Sequence, residues 1–584
     1  MVSIPLRALL GLGAAGGVCL LVSGSRRYVA RRRISHSLPR PSSSLRVAYV
    51  TDIEGNWEYF LRFVELSEAL TLVGTLQDGS VELYLHEGWH FIHGGDTTDK
   101  GGKVGGSMRV TLSLLRLKRA YPERVSLLLG NRDINKMRLT SELAPSELSF
   151  DALPRIPPPA WVPPSKRVTP LAELTSLAAQ RLGVREEEVP SSEIAASNTL
   201  AARLRWILKH TMGADGELER RAAELSLIEQ REVSEEEAAA SFVASVGPGG
   251  WTRELLLVGE LVVVVNSNLF LHGGLVGTYA GGASHCLGVV PGGKEVGGVH
   301  LWASELNCWL RRQLTEWEQR PRWDHSSAGA YAAGRRGGNA AMEYVLPTSP
   351  PSVVMGRHLT PSGMPAPLPA DLVRRLNAGG ITRLVLGHTP HGNCPTVMKS
   401  FPEGGGAVEV VMADTSYSDM SAEDNRGEAV SELVLMPDGS ARVHGVLHDG
   451  TRIDFCLSKN VAEPSEYVGR YEPDGRAGGG GESRFAKAVL SDGRILMCRV
   501  RGFETTYETI SKQRAKQLFE GGEESLSPMI GRRRITRQFT TFGDEECIGL
   551  SPFFDKHRAQ VIRHFFERTD LDGSLTITRE ELRK

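Results

Sequence analysis

Residues Leu127–Asn135 read LLLGNRDIN. Three consecutive leucines suit a strand covered on both faces, because alternation with polar residues is expected only where one face meets water. The run then delivers Gly-Asn-Arg-Asp. A polar cluster closing so apolar a segment marks that end of the strand as facing a site. The same pattern recurs along the chain, in LRVAYVTDIEGN (45–56), WHFIHGGDTTDKG (89–101), LVVVVNSNLFLHGG (261–274), RLVLGHTPHG (383–392) and VEVVMADTSYS (408–418). Amphipathic stretches with helical spacing, such as Trp57–Ala69 and Ser107–Ala120, lie between several of these runs. Strands alternating with helices, with reactive side chains gathered at the strand ends, predict an α/β architecture.

The chain has 584 residues, too many for one core, so more than one domain or large insertions are expected. Its net charge of −1 hides an asymmetry, since residues 1–51 hold eight arginines and no acidic residue. The remainder has 60 basic against 69 acidic residues, which gives nucleic acid no basic footprint. Seven cysteines, scattered and without CxxC spacing, argue for a reducing compartment and against a disulfide scaffold or zinc ribbon. Ala8–Val22 is uncharged over 15 residues, followed by Arg26, Arg27 and Arg31–Arg33. As a helix it spans roughly 22 Å, marginal for a membrane, and the basic flank would keep the body in the cytoplasm. The alternative is a transit peptide for mitochondrion or plastid, in keeping with an Arg-rich, acid-free leader.

The strand ends collect Asp52 and Glu54, Asp96 and Asp99, Asn131 and Asp133, His272, His388 and His391. Carboxylate oxygens mixed with imidazoles suit Mn, Fe or Zn ions better than Ca²⁺ or a structural zinc. Five blocks in order, TDIEGN, GGDTTDKG, LGNRD, LHGGL and LGHTP, spanning about 50–420, resemble the calcineurin-like metallophosphoesterases. That superfamily includes phosphoprotein phosphatases and bacterial diadenosine tetraphosphatases.

The resemblance implies a sandwich of central β-sheets flanked by helices, and two divalent metal ions. Asp52 would hold the first ion, Asp96 would bridge both, and Asn131, His272 and His388 would hold the second. Glu54 stands where the family has a metal-binding histidine, and it offers a harder oxygen ligand. Arg132 stands where the family's histidine protonates the leaving alkoxide. Arginine cannot supply that proton, but it can bind phosphate and stabilise charge. Asp99, which in relatives orients that histidine, would pair with Arg132, and Asp133 is a substitute proton donor. His391 lies three residues after His388, where Pro390 displaces the family's usual spacing, and is offered as a metal or phosphate contact. Asp414, in the ADTS turn, falls near the site in relatives.

Residues 137–250 interrupt the strand rhythm with a proline-rich connector (153–165) and an Ala/Glu/Arg/Leu-rich, helical insertion. The expected plan is an N-terminal anchor or targeting segment (1–43), a metallophosphoesterase domain (44–458) containing that insertion, a small β-rich module (459–545), and an EF-hand-like segment (546–584). In the last, DLDGSLTITREE (570–581) fits a twelve-residue calcium loop. Asp570, Asp572, Ser574, Thr576 (by its carbonyl), Thr578 and Glu581 would bind Ca²⁺. Leu575 replaces the usual glycine, and an EF-hand partner would come from another chain. The expected function is hydrolysis of a phosphomonoester, for instance on a phosphoprotein, by hydroxide held at the metal pair, with Ca²⁺ regulation. The alternative is a catalytically impaired phosphatase fold that serves as a Ca²⁺-sensing scaffold.

Overall fold

The computed structural model describes residues 45–520, apart from 103, 277–284, 325–335, 347–351, 361–362, 402–405, 416–428, 464–466, 473–483 and 502–503. The N-terminal segment and the calcium loop, with all six of its expected ligands, lie outside the described residues. Among the described residues no helix is long and apolar enough to cross a membrane.

The protein is a mixed α/β structure built on two main sheets. The strands are β1 (Arg46–Val50), β2 (Leu70–Thr75), β3 (Val81–Leu85), β4 (Trp89–His93), β5 (Val125–Leu127), β6 (Val262–Val265), β7 (Asn268–Leu271), β8 (Val289–Val290), β9 (Lys294–Glu295), β10 (Arg383–Leu386), β11 (Thr396–Ser400), β12 (Val408–Met412), β13 (Val430–Leu435), β14 (Ala441–Val446), β15 (Arg452–Leu457), β16 (Phe485–Val489), β17 (Ile495–Arg501) and β18 (Glu504–Ile510). One sheet runs β15-β14-β13-β1-β4-β5 and the other β11-β12-β10-β7-β6. Strands β1, β4 and β5 are mutually parallel, as are β7, β10 and β12. Each sheet therefore aims three carboxyl ends the same way. At the β5 edge the two sheets touch, where Leu128 bridges Glu260 just ahead of β6.

Alternation along β1 explains the layering. Val47 and Tyr49 turn toward the other sheet and join Ile92, Phe270, Val385 and Val411 in a shared core, with the Tyr49 and Phe270 rings 5.7 Å apart. Ala48 and Val50 turn the opposite way, into a core with Phe60, Phe63 and Leu114 of the helices Trp57–Leu66 and Ser107–Ala120. The second sheet does the same with Leu269 and Leu384, in the core that also holds Trp302, Leu306 and Leu372 of the helices Val299–Gln319 and Ala370–Ala378. The leucine-rich and valine-rich runs are thus covered on both sides, which is why their sequences do not alternate.

The insertion is helical as expected, with helices at Pro170–Leu182, Ser191–Ser197, Leu200–Thr211, Glu217–Glu229 and Glu235–Val246. It is bolted to the first sheet's helical layer. Helix Ser107–Ala120 starts on Gly106, which has no side chain to cap it. Glu224 of the insertion supplies the cap, accepting from the backbone N–H groups of Met108 (3.1 Å) and Arg109 (2.9 Å). The β16–β18 sheet shares the inter-sheet core, to which Ala486, Ala488, Leu496 and Met497 belong. It extends the sandwich beside β15, with Leu490 bridging Ile453.

Candidate metal centre

Five of the six strands in these two parallel sets deliver the residues just beyond their carboxyl ends to one place. From the first sheet come Asp52 and Glu54 after β1, Asp96 and Asp99 after β4, and Asn131 just beyond β5. From the second come His272 after β7 and His388 after β10. Donor atoms of Asp96, His272 and His388 lie within 4.8 Å of one another, and so do those of Asp52, Glu54 and Asp96. All five residues are buried. Asp96 belongs to both groups.

Backbone strain accompanies this convergence. Asp52 (φ 51°), Glu54 (48°), Asp96 (51°), Asp99 (86°), Lys100 (84°) and His388 (63°) all sit in the left-handed region, which non-glycine residues seldom adopt. Such strain persists only where neighbours over-determine it. Here Asp52 N–H donates to Gly95 O (3.0 Å) and Glu54 N–H to Asp96 O (2.9 Å), tying the β1 and β4 loops together. The adjoining glycines are steric necessities. A Cβ on Gly130 would lie 2.0 Å from Asp96 Oδ1, and one on Gly387 would lie 2.2 Å from Asp52 Oδ2.

The two histidines are so placed that they could serve as metal ligands. His272 Nδ1 lies 2.9 Å from the Gly94 carbonyl, which requires the proton on Nδ1 and turns Nε2 toward Asp96 Oδ1 and Asn131 Oδ1, each 3.3 Å away. Burial alone would lower the His272 pKa, yet Asp96 and Asp52 hold it up at about 10. The field that retains a proton there also attracts a divalent cation. His388 Nε2 is buried and meets no hydrogen-bond partner. Burial, with Arg357 and His272 nearby, lowers the His388 pKa and keeps it neutral, the form that ligates. An orphaned imidazole nitrogen within reach of a buried carboxylate fits a metal ion.

Arg132 is enclosed by acids. Its Nε donates to Glu54 Oε1 at 2.7 Å and lies 3.4 Å from Asp96 Oδ2, while Nη1 is 3.8 Å from Asp99 Oδ2. Nη1 also reaches the Gly213 carbonyl of the insertion at 3.4 Å. Burial works against this charge, but Glu54, Asp96 and Asp99 outweigh it and raise the pKa. Asp99 is fully buried and paired chiefly with Lys136. Asp133 accepts from the backbone N–H groups of Gly130 (2.9 Å), Asp96 (2.9 Å) and Thr97 (3.0 Å). Burial, then Asp96, pushes its pKa up to about 6. Both Asp133 oxygens are committed to shaping the loop. His391 is likewise committed, Nδ1 to Thr396 Oγ1 and Nε2 to Gly363 O, both at 2.9 Å, with its ring stacked on Phe485. Asp414 is buried, and its carbonyl accepts from His391 N–H.

Three contributors escaped the sequence reading. Lys136 sits one helical turn beyond Arg132, a spacing that was visible but had no motif to attach to. Glu217 of the insertion accepts from Ser107 Oγ, which in turn accepts from Asp99 N–H. Arg357 is water-accessible yet closely surrounded, so burial lowers its pKa against the pull of Asp414, Asp52 and Asp96. The HGG loop packs on its segment, with Gly273 N–H and Gly274 N–H donating to Val353 O.

No protein-family model matches the chain, and no curated protein matches it. Among solved structures, it is similar to the cold-active protein-tyrosine phosphatase of a psychrophilic Shewanella species, at 15% identity, over 72% of this chain and 87% of that one, with a TM-score of 0.30. It is also similar to a protein serine/threonine phosphatase from Saccharomyces cerevisiae with similarity to human phosphatase PP5, at 10% identity, over 68% and 74%, with a TM-score of 0.27. Likeness at this level bears on neither activity nor substrate.

Proposed function

We propose that this chain is a metal-dependent phosphoesterase that hydrolyses phosphomonoesters, phosphoproteins included. The observation that carries the reading is the pair of buried ligand groups sharing Asp96, completed by the unpartnered Nε2 of His388. The five sequence blocks that resemble calcineurin-like metallophosphoesterases supply exactly these side chains. Asp96, His272 and His388, with Asn131, would hold the cation, which when bound would supply Lewis acidity and lower the pKa of a water.

The chain's own residues do the rest. Arg357, whose charge is felt at Asp52, Asp96 and Asp414, is the water-accessible cation suited to meeting an incoming phosphate. Arg132 is spent on Glu54 and Asp96, so it acts as a fixed positive charge in place of a phosphate fork. Neither Asp99, paired with Lys136, nor Asp133, bound to three amides, is free to hand a proton to a departing alkoxide. Loss of a general acid typically costs 10²–10⁴-fold, and least where the leaving group is stable as an anion. The favoured substrates are therefore esters with acidic leaving groups, aryl phosphates and phosphotyrosine-like groups among them. Calcium regulation through the C-terminal loop, a paired EF-hand partner and membrane attachment through the N-terminus are further proposals that rest on the sequence of those segments.

The test is hydrolysis of a series of aryl phosphates of graded leaving-group pKa, by the full chain with Mn²⁺. A steep loss of rate with rising leaving-group pKa is expected. Asp96→Asn should lower activity at least about a hundredfold, since even residues that merely orient ligands cost 10–100-fold. Wild-type inactivity across Mn²⁺, Mg²⁺, Fe²⁺ and Zn²⁺ would leave only the non-catalytic scaffold.

A further inference from the structure

We infer that the centre takes a single divalent cation, because the Arg132 guanidinium occupies the place of the second. The inference rests on the metal-binding part of the proposed function and not on catalysis.

The two ligand groups sharing Asp96 differ in what already stands among them. Asp96 divides its carboxylate between them. Oδ1 faces His272 Nε2 at 3.3 Å and accepts from Arg132 N–H at 2.9 Å, while Oδ2 lies 3.4 Å from Arg132 Nε. On the histidine side Oδ1 meets the His272 imidazole, and among the described residues no arginine or lysine side chain forms an ion pair with Oδ1. On the carboxylate side the guanidinium bridges Glu54 and Asp96, two of the three acids in that group.

A cation bound to Glu54 at roughly 2.1 Å would lie within about 5 Å of Arg132 Nε, given the 2.7 Å hydrogen bond. At that separation two like charges in a protein interior cost on the order of a hundredfold in affinity for each unit of charge on the ion. The guanidinium has no easy way out. It is 8% exposed, its pKa keeps it charged at any physiological pH, and the insertion closes over it through Gly213.

Glu54 and Arg132 thus form an acid–base pair standing where a second ion would be.

The experiment is metal stoichiometry. The full chain is loaded with Mn²⁺, freed of excess, and analysed for manganese per chain by elemental analysis and for spin coupling by electron paramagnetic resonance. One equivalent with the signal of an isolated ion is expected, and His388→Ala should lose it. Two equivalents, or an exchange-coupled pair, in the wild type would overturn the inference while leaving the metal-binding reading intact. No bound manganese would sink both. Arg132→Gln, close in volume and uncharged, should admit a second equivalent, at least a hundredfold more tightly than wild type. A circular dichroism spectrum matching wild type, with the count still at one, would show that Arg132 is not what excludes it. Should that variant fail to fold, the wild-type count and its spin signature decide alone.

Discussion

At the scale of single residues, buried histidines separate into two kinds. His272 is surrounded by acids and keeps its proton, whereas His358 and His391 are buried without an anionic partner and lose theirs. Burial pushes the His358 pKa down to about 4, and burial with Lys487 pushes that of His391 down to about 3. His358 Nε2 accepts from Leu275 N–H, so the neutral ring is the one the fold uses. Both folded-state values lie below the unfolded histidine value of about 6.5. The unfolded chain therefore binds more protons across that interval, and stability present above pH 6.5 is lost as pH falls. Between pH 7.5 and 5 each ring should contribute a loss of about 2 kcal/mol. Urea midpoints at the two pH values measure the fall, and His358→Gln should flatten part of it. A midpoint that falls as far in His358→Gln as in the wild type would contradict the burial argument.

At the scale of elements, the insertion docks by apolar packing and by one fully buried carboxylate. Glu224 caps the helix Ser107–Ala120 and pairs with Arg109 and Arg221 while fully buried. Removing one member of a buried ion pair typically costs about 3–5 kcal/mol, so Glu224→Ala should fall in that range by chemical denaturation. The exposed pair Arg185–Glu188 should contribute little, because solvent screens it. A loss under about 1 kcal/mol for Glu224→Ala would mean that this carboxylate contributes little to the docking of the insertion. The helices Trp57–Leu66 and Ser107–Ala120 were legible in the sequence because their apolar spacing reports burial directly. The cap from Glu224 was not legible, since it joins residues more than a hundred positions apart, and no local pattern encodes such a contact. LVVVVNSNLFL reads as one apolar run yet forms the hairpin β6–β7, with the turn signalled only by Asn266 in the left-handed region. At the site, the ligands sat in recognisable blocks, but the pairing of Arg132 with Glu54 became visible only when β1 and β5 were placed in one sheet. Arg357 carried no signal because its role depends on a loop whose position is set by the HGG glycines.

At the scale of the whole molecule, Lys487 ties the β16–β18 sheet to the segment that follows His388 of the candidate metal centre. This lysine is fully buried and donates to the His391 carbonyl and Thr396 Oγ1, just past the strand end that carries His388. The core between the main sheets also contains Ala486, Ala488, Ile495 and Met497. A chain ended at residue 458 should therefore expose that core, lose its cooperative melting transition and aggregate, whereas residues 45–520 should melt in one step. Cooperative melting of the shorter chain, seen by calorimetry, would make the C-terminal strands an independent unit.

The division of the site between the two sheets has a kinetic consequence. Its carboxylates come from the first sheet and its histidines from the second, and Asp96 and His272 are separated by the whole helical insertion. Contacts so distant in sequence form slowly, because a long loop must close before they return any stabilisation. Neither half can bind an ion with the full ligand set until the sheets have docked. Assembly of the candidate centre is thus a late event in folding, complete only after the last parallel strand, β12, and the strands that return to pair with β1 have left the ribosome.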